Sequence, residues 1–83
     1  MNFSSPKKQR LVAQYLPEYQ ELIRAYLYGT NERVDNLILH YQRVDEMKIS
    51  DIDVLVSLAQ DFAASYRYLD LKIVEEQITV YPN

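Results

Sequence analysis

His40 is the single histidine in the chain. Arg43 follows it at the spacing of one helical turn, a placement that could let an imidazole accept a phosphoryl group and a guanidinium steady it. Such a histidine needs open surroundings of small residues, whereas Leu39 and Tyr41 flank this one, so a structural or rim role is favoured. A metal centre would need further nitrogen, sulfur or paired carboxylate ligands. The chain has no second histidine, no cysteine and no H-E-x-x-H motif. Asp51 and Asp53 could hold a hard cation, yet two carboxylates in the first turn of a helix are what the helix macrodipole stabilises by itself. The lone glycine, Gly29, excludes the phosphate-cradling loops that need several. No serine or threonine has a candidate base beside it in sequence. The expectation is a protein that is not an enzyme, with no catalytic residue, no metal and no cofactor.

The strongest pattern is architectural. Ile52, Leu55, Ala59, Phe62, Tyr66, Leu69 and Ile73 recur at alternating gaps of three and four, the signature of one stripe along a helix. Ser50-Asp51-Ile52-Asp53 fits a capping box and marks where that helix begins. After Ile73 the stripe meets Glu76, so the helix is expected to reach about Gln77. Upstream, Ser5-Pro6 reads as an N-cap with proline at the first helical position. Pro17 predicts a break at Leu16, because a proline disfavours helical geometry in the residue before it. Tyr19, Leu22, Ile23, Tyr26 and Leu27 define a second amphipathic helix over 17–28, closed by Gly29 as a left-handed terminator. Thr30-Asn31 cap a third helix, over 32–47, whose apolar side is Val34, Leu37, Ile38, Tyr41 and Val44.

Composition limits the partners. One glycine and an apolar content of 48% disfavour all-β folds and disorder. The absence of cysteine suits a reducing compartment, and no uncharged apolar run approaches the roughly 20 residues of a membrane span. A cytoplasmic location is expected. Setting aside Lys7, Lys8 and Arg10 leaves six basic against twelve acidic residues, a body of net charge about −6 that repels phosphate backbones. A small DNA-binding regulator is the alternative reading, with helices 17–28 and 32–47 as a helix-turn-helix and the basic N-terminal arm on the backbone. Arg33 and Arg43 would then be its main groove contacts. Eight tyrosines are present. Tyr28, Tyr68 and Tyr81 lie off the apolar faces, where a large ring with a polar tip suits an interface rim.

The stretch Glu18-Tyr19-Gln20-Glu21-Leu22-Ile23-Arg24-Ala25-Tyr26, followed by Lys48-Ile49-Ser50 and Val54-Leu55, resembles the helical domains of the KaiA C-terminal and RsbU N-terminal superfamily. The similarity covers about 18–71. It implies a right-handed four-helix bundle that dimerises and binds a regulatory protein or peptide. This chain departs from that pattern by an extra segment over 6–16 and by having only 72–81 where a full final helix would stand, so no partner-binding residue is carried over.

These readings converge on a single all-α domain over 1–83, a small bundle of three to four helices with a long last helix, a flexible stretch over 1–5 and an irregular tail over 78–83. The expected function is non-catalytic regulatory protein binding in bacterial signalling, by a homodimer with an unidentified protein or peptide as further partner. Leu55, Phe62, Tyr66, Leu69 and Ile73 are the expected dimer seam, with Tyr68 and Tyr81 as partner contacts.

Overall fold

A computed structural model describes residues 5–66 and 71–78 and, apart from the Leu71 side chain, their side chains. Five helices lie within them: α1 (Pro6–Gln14), α2 (Leu16–Tyr28), α3 (Asn31–Arg43), α4 (Ile49–Tyr66) and α5 (Leu71–Ile78). The described architecture is all-helical. α2 and α4 form the central pair, and α1 and α3 each pack against both. The Cα atoms span 34 × 31 × 16 Å, and the short dimension is that of two helical layers in contact.

Local chemistry explains most of the boundaries. Ser5 is extended and caps α1 with Pro6 in the first turn, although the serine hydroxyl makes no capping bond. Pro17 lacks the N–H that would continue α1. The break falls at Tyr15, one residue before the expected Leu16, with φ −119° and ψ 39°. Thr30 caps α3 as expected, its Oγ1 accepting from the Arg33 N–H at 3.1 Å.

Gly29 ends α2 by a different route from the one expected. Its φ is −100°, so it is extended and not left-handed. A Cβ there would stand 2.9 Å from the Ala25 carbonyl oxygen and 3.3 Å from the Ala25 Cα, and backbone cannot move aside as a flexible side chain can. Gly29 is needed for closeness. Gly29→Ala is expected to lower the urea midpoint by the equivalent of roughly 1–3 kcal/mol, the range for overpacking. An unchanged midpoint would show that the site tolerates a methyl group.

The third and fourth helices depart further from the sequence reading. α3 stops at Arg43 and not at Met47. Among the described residues the one left-handed non-glycine is Glu46, with φ 55°, and it lets the Met47 N–H fold back onto the Tyr41 carbonyl at 3.0 Å. α4 starts at Ile49, with the Lys48 carbonyl accepting from the N–H groups of Asp51 and Ile52, each at 3.0 Å. Ser50 is therefore inside the helix, and the capping-box reading is corrected.

The long last helix is also corrected. α4 ends at Tyr66, and a separate α5 begins at Leu71. A straight helix from Ile49 to Ile78 would run about 43 Å, longer than the 34 Å principal extent of the molecule. Among the described side chains of α5, Val74 and Ile78 are buried while Ile73 faces out, so Ile73 does not continue the buried stripe of α4. Gln20 donates to the Ile78 carbonyl at 2.6 Å, and Arg24 pairs with Glu75 at 3.0 Å, which sets α5 antiparallel along α2. Ile78 is thus a helical core residue and not the start of an irregular tail. Residues 1–4 and 79–83 lie outside the described residues.

The core is assembled from every element. Val12, Tyr19, Leu22, Ile23, Leu37, Tyr41, Ile52, Leu55, Ala59, Val74 and Ile78 are all buried. Buried area of this kind is the dominant stabilising term.

Candidate functional site

The predicted seam does not form one surface. Leu55 is 0% exposed and Phe62 7%, both within the core cluster, so neither can sit on an open face. Tyr66 is half-buried and packs its ring on Phe62 with centroids 4.6 Å apart. Ile73 is 48% exposed. Leu69, like the expected partner contacts Tyr68 and Tyr81, lies outside the described residues. The physical reason for the correction is that α2, α1 and α3 cover the α4 stripe within one subunit. The sequence shows that a stripe must be covered but does not say by what.

Apolar surface is left elsewhere, at the turn between α3 and α4. Val44 is 64% exposed and Ile49 59%, the highest values among the large hydrophobic residues described. They stand on either side of a turn that is tightly held. Met47 is buried beneath it. The His40 carbonyl accepts from the N–H groups of Val44, at 2.8 Å, and Asp45, at 3.3 Å, and Met47 closes onto Tyr41 as described above.

Tyr41 anchors the turn from two sides. Its carbonyl takes the Met47 N–H, and its buried hydroxyl donates to Glu21 Oε1 at 2.6 Å and reaches the Glu18 carbonyl at 3.2 Å, tying α3 to α2. Arg33 donates to the other oxygen of Glu21 at 3.4 Å. Burial pushes the Tyr41 phenol well above the ordinary tyrosine range, with the hydrogen bond to Glu21 and the charges of Glu21 and Glu18 adding to it and Arg33 opposing. The neutral phenol is the form that donates to Glu21, so the clamp holds at neutral pH.

This network borders a cleft of about 450 Å³ between α2 and α3, onto which His40 and Asp45 also open. His40 is exposed, with Nε2 3.9 Å from Asp45 Oδ1. The carboxylate beside it would repel an incoming phosphoryl group. Glu21 is occupied by Tyr41 and Arg33, which leaves the cleft with structural uses for its central acid. The DNA-binding reading relied on Arg33 as a groove contact, and Arg33 instead pairs with Glu21. Asp51 and Asp53 lie in the first turns of α4, and among the described residues no group of three or more acidic, histidine or cysteine side chains could hold a metal ion. No helix among them is long and apolar enough to cross a membrane.

Sequence reasoning placed Val44 on the buried face of a longer α3 and named Ile49 only within the KaiA/RsbU-like pattern. An available signal was the run Asp45-Glu46-Met47-Lys48, which offers α3 no apolar residue at the helical spacing except Met47. Comparisons with protein-family profiles, curated proteins and solved structures return no match. The fold itself defines the class, an all-α helical bundle with a rigid turn that exposes two aliphatic side chains.

Proposed function

We propose that this chain is a non-catalytic regulatory interaction module of the cytoplasm that works as a homodimer, with two copies meeting through the α3–α4 turn. The observation that supports it most is the exposure of Val44 and Ile49 on a turn whose backbone is fixed by Met47 and Tyr41. A preformed surface loses little freedom on binding, so the apolar area it buries counts more fully toward affinity. A two-fold axis through the turn would set each aliphatic pair against its own copy, the simplest self-complementary cover. Removing a side chain of this size from water contributes at most roughly 1.5–3 kcal/mol, so the dimer is a weak one that a partner or a change in concentration could dissociate. The KaiA/RsbU-like pattern read from the sequence, which implies dimers that bind regulatory proteins, supports the same class.

Sedimentation of the purified chain tests this reading. The wild type is expected to move from monomer to dimer over a micromolar concentration series, and Val44→Asp to stay monomeric with native helicity. A wild type that remains monomeric throughout would refute the dimer.

A further inference from the structure

A second surface lies between α1 and α4. Lys7, Arg10 and Gln14 fall on one face of α1 by their helical spacing and border a cleft of about 450 Å³. Its floor is apolar, made by the half-buried Leu11 and Val54. Lys8 and Val54 continue it into a smaller hollow of about 200 Å³ that runs along α4 past Ser57. The result is a groove with a cationic wall on α1, a greasy floor, and Asp51 and Asp53 on the α4 side.

Among the described residues, Lys7, Lys8 and Arg10 carry no ion pair and no side-chain hydrogen bond, whereas Arg24 and Arg33 are each paired with a glutamate. Three unpaired cations of the described residues thus stand together on one wall of one groove. An anionic occupant matches that wall. The rest of the site decides which kind. A phosphate backbone has no use for the apolar floor of Leu11 and Val54. A helical peptide can present carboxylates to α1 and aliphatic side chains to the floor at the same time.

We infer that the α1–α4 groove binds an acidic amphipathic segment of a partner protein, seated with its carboxylates on Lys7, Lys8 and Arg10 and its apolar face on Leu11 and Val54. This rests on the reading of the chain as an interaction module and adds the surface and the chemistry of the partner. It does not depend on the dimer contact at Val44 and Ile49.

The test is fluorescence anisotropy with the full chain and a labelled synthetic helix about four turns long, with leucines on one face and glutamates on the other. The expected result is saturable binding that weakens at least about tenfold in Lys7→Ala/Lys8→Ala/Arg10→Ala, roughly 1.4 kcal/mol spread over three exposed pairs. Val54→Ala is expected to weaken it too, and a charge-matched peptide with its leucines scrambled to bind more weakly. Sedimentation of the same samples separates the two readings, because the triple variant should dimerise like the wild type and Val44→Asp should bind the peptide like the wild type. The inference is overturned by an absence of binding, by equal affinity in the triple variant, or by single-stranded or duplex DNA of matched length binding as tightly as the peptide. The last outcome would make the groove a nucleic-acid site.

Discussion

Leu55→Ala is expected to destabilise the chain by about 2–5 kcal/mol, as for other large-to-small changes in a packed core. Leu55 is fully buried in the core cluster, so truncation leaves a void that the surrounding backbone can only partly close. A small domain starts with as little as about 5 kcal/mol in total, which makes the variant marginal or unfolded at room temperature. Urea unfolding followed by circular dichroism, at protein concentrations low enough to keep the chain monomeric, is the measurement. A full-sized loss at high dilution locates Leu55 in the core of one subunit. A variant that unfolds at the wild-type midpoint but fails to associate would instead return Leu55 to an intermolecular seam.

The second large effect is alkaline. Tyr41 and Tyr19 are both buried, and burial raises the pKa of each phenol well above its ordinary value, with the Glu21 hydrogen bond reinforcing the rise at Tyr41 and the charge of Asp61 reinforcing it at Tyr19. In the unfolded chain both titrate near pH 10. Above that pH the unfolded state holds fewer protons than the folded one, so stability falls as pH rises. The stabilisation is fully present below about pH 10 and is lost beyond it, at up to roughly 1.4 kcal/mol per phenol for each pH unit. Over two units this is comparable with the whole stability of a small domain. Helicity and tyrosinate absorbance are therefore expected to change together in one cooperative step between about pH 10 and 12. Tyr41→Phe should start from a lower stability, having lost a hydrogen bond to a charged group worth roughly 1.5–3 kcal/mol, and should show a shallower pH slope. Smooth ionisation of all eight tyrosines near pH 10 with helicity intact would contradict the buried clamp.

Where apolar period and terminator chemistry agreed, the sequence was legible. The first three helices lie close to where Pro6, Pro17 and Thr30 put them, because proline and N-cap chemistry act within a few residues. The core residues Tyr19, Leu22, Ile23, Leu37 and Tyr41 follow from spacing alone. Long-range facts were not legible. The repeat from Ile52 to Ile73 keeps its three-and-four spacing although Ile73 is exposed on α5, and periodicity carries no information about the placement of α5 along α2 that Gln20 and Arg24 stabilise from 50 or more residues away. Gly29 was recognised as a terminator for the wrong reason, since its position is decided by closeness to Ala25 and not by a positive φ.

The same limit governed the sites. An exposed pair such as Val44 and Ile49 becomes visible only when the end of α3 is known, and that end depends on Glu46 adopting a left-handed conformation without being glycine or asparagine. The basic groove needed the packing of α1 on α4. In sequence the cations were a short run near the start of the chain, and Leu11 and Val54 were two apolar positions 43 residues apart.

The central claim, that the chain acts by associating through the α3–α4 turn, is tested most directly by amide NMR spectra recorded over a dilution series. The account predicts progressive shifts confined to the turn, at Val44, Asp45, Glu46 and Ile49 above all, with the core amides of Leu22 and Leu55 unmoved. Spectra that do not change with concentration, or that change across Tyr66 and Ile73 and leave the turn still, would contradict it.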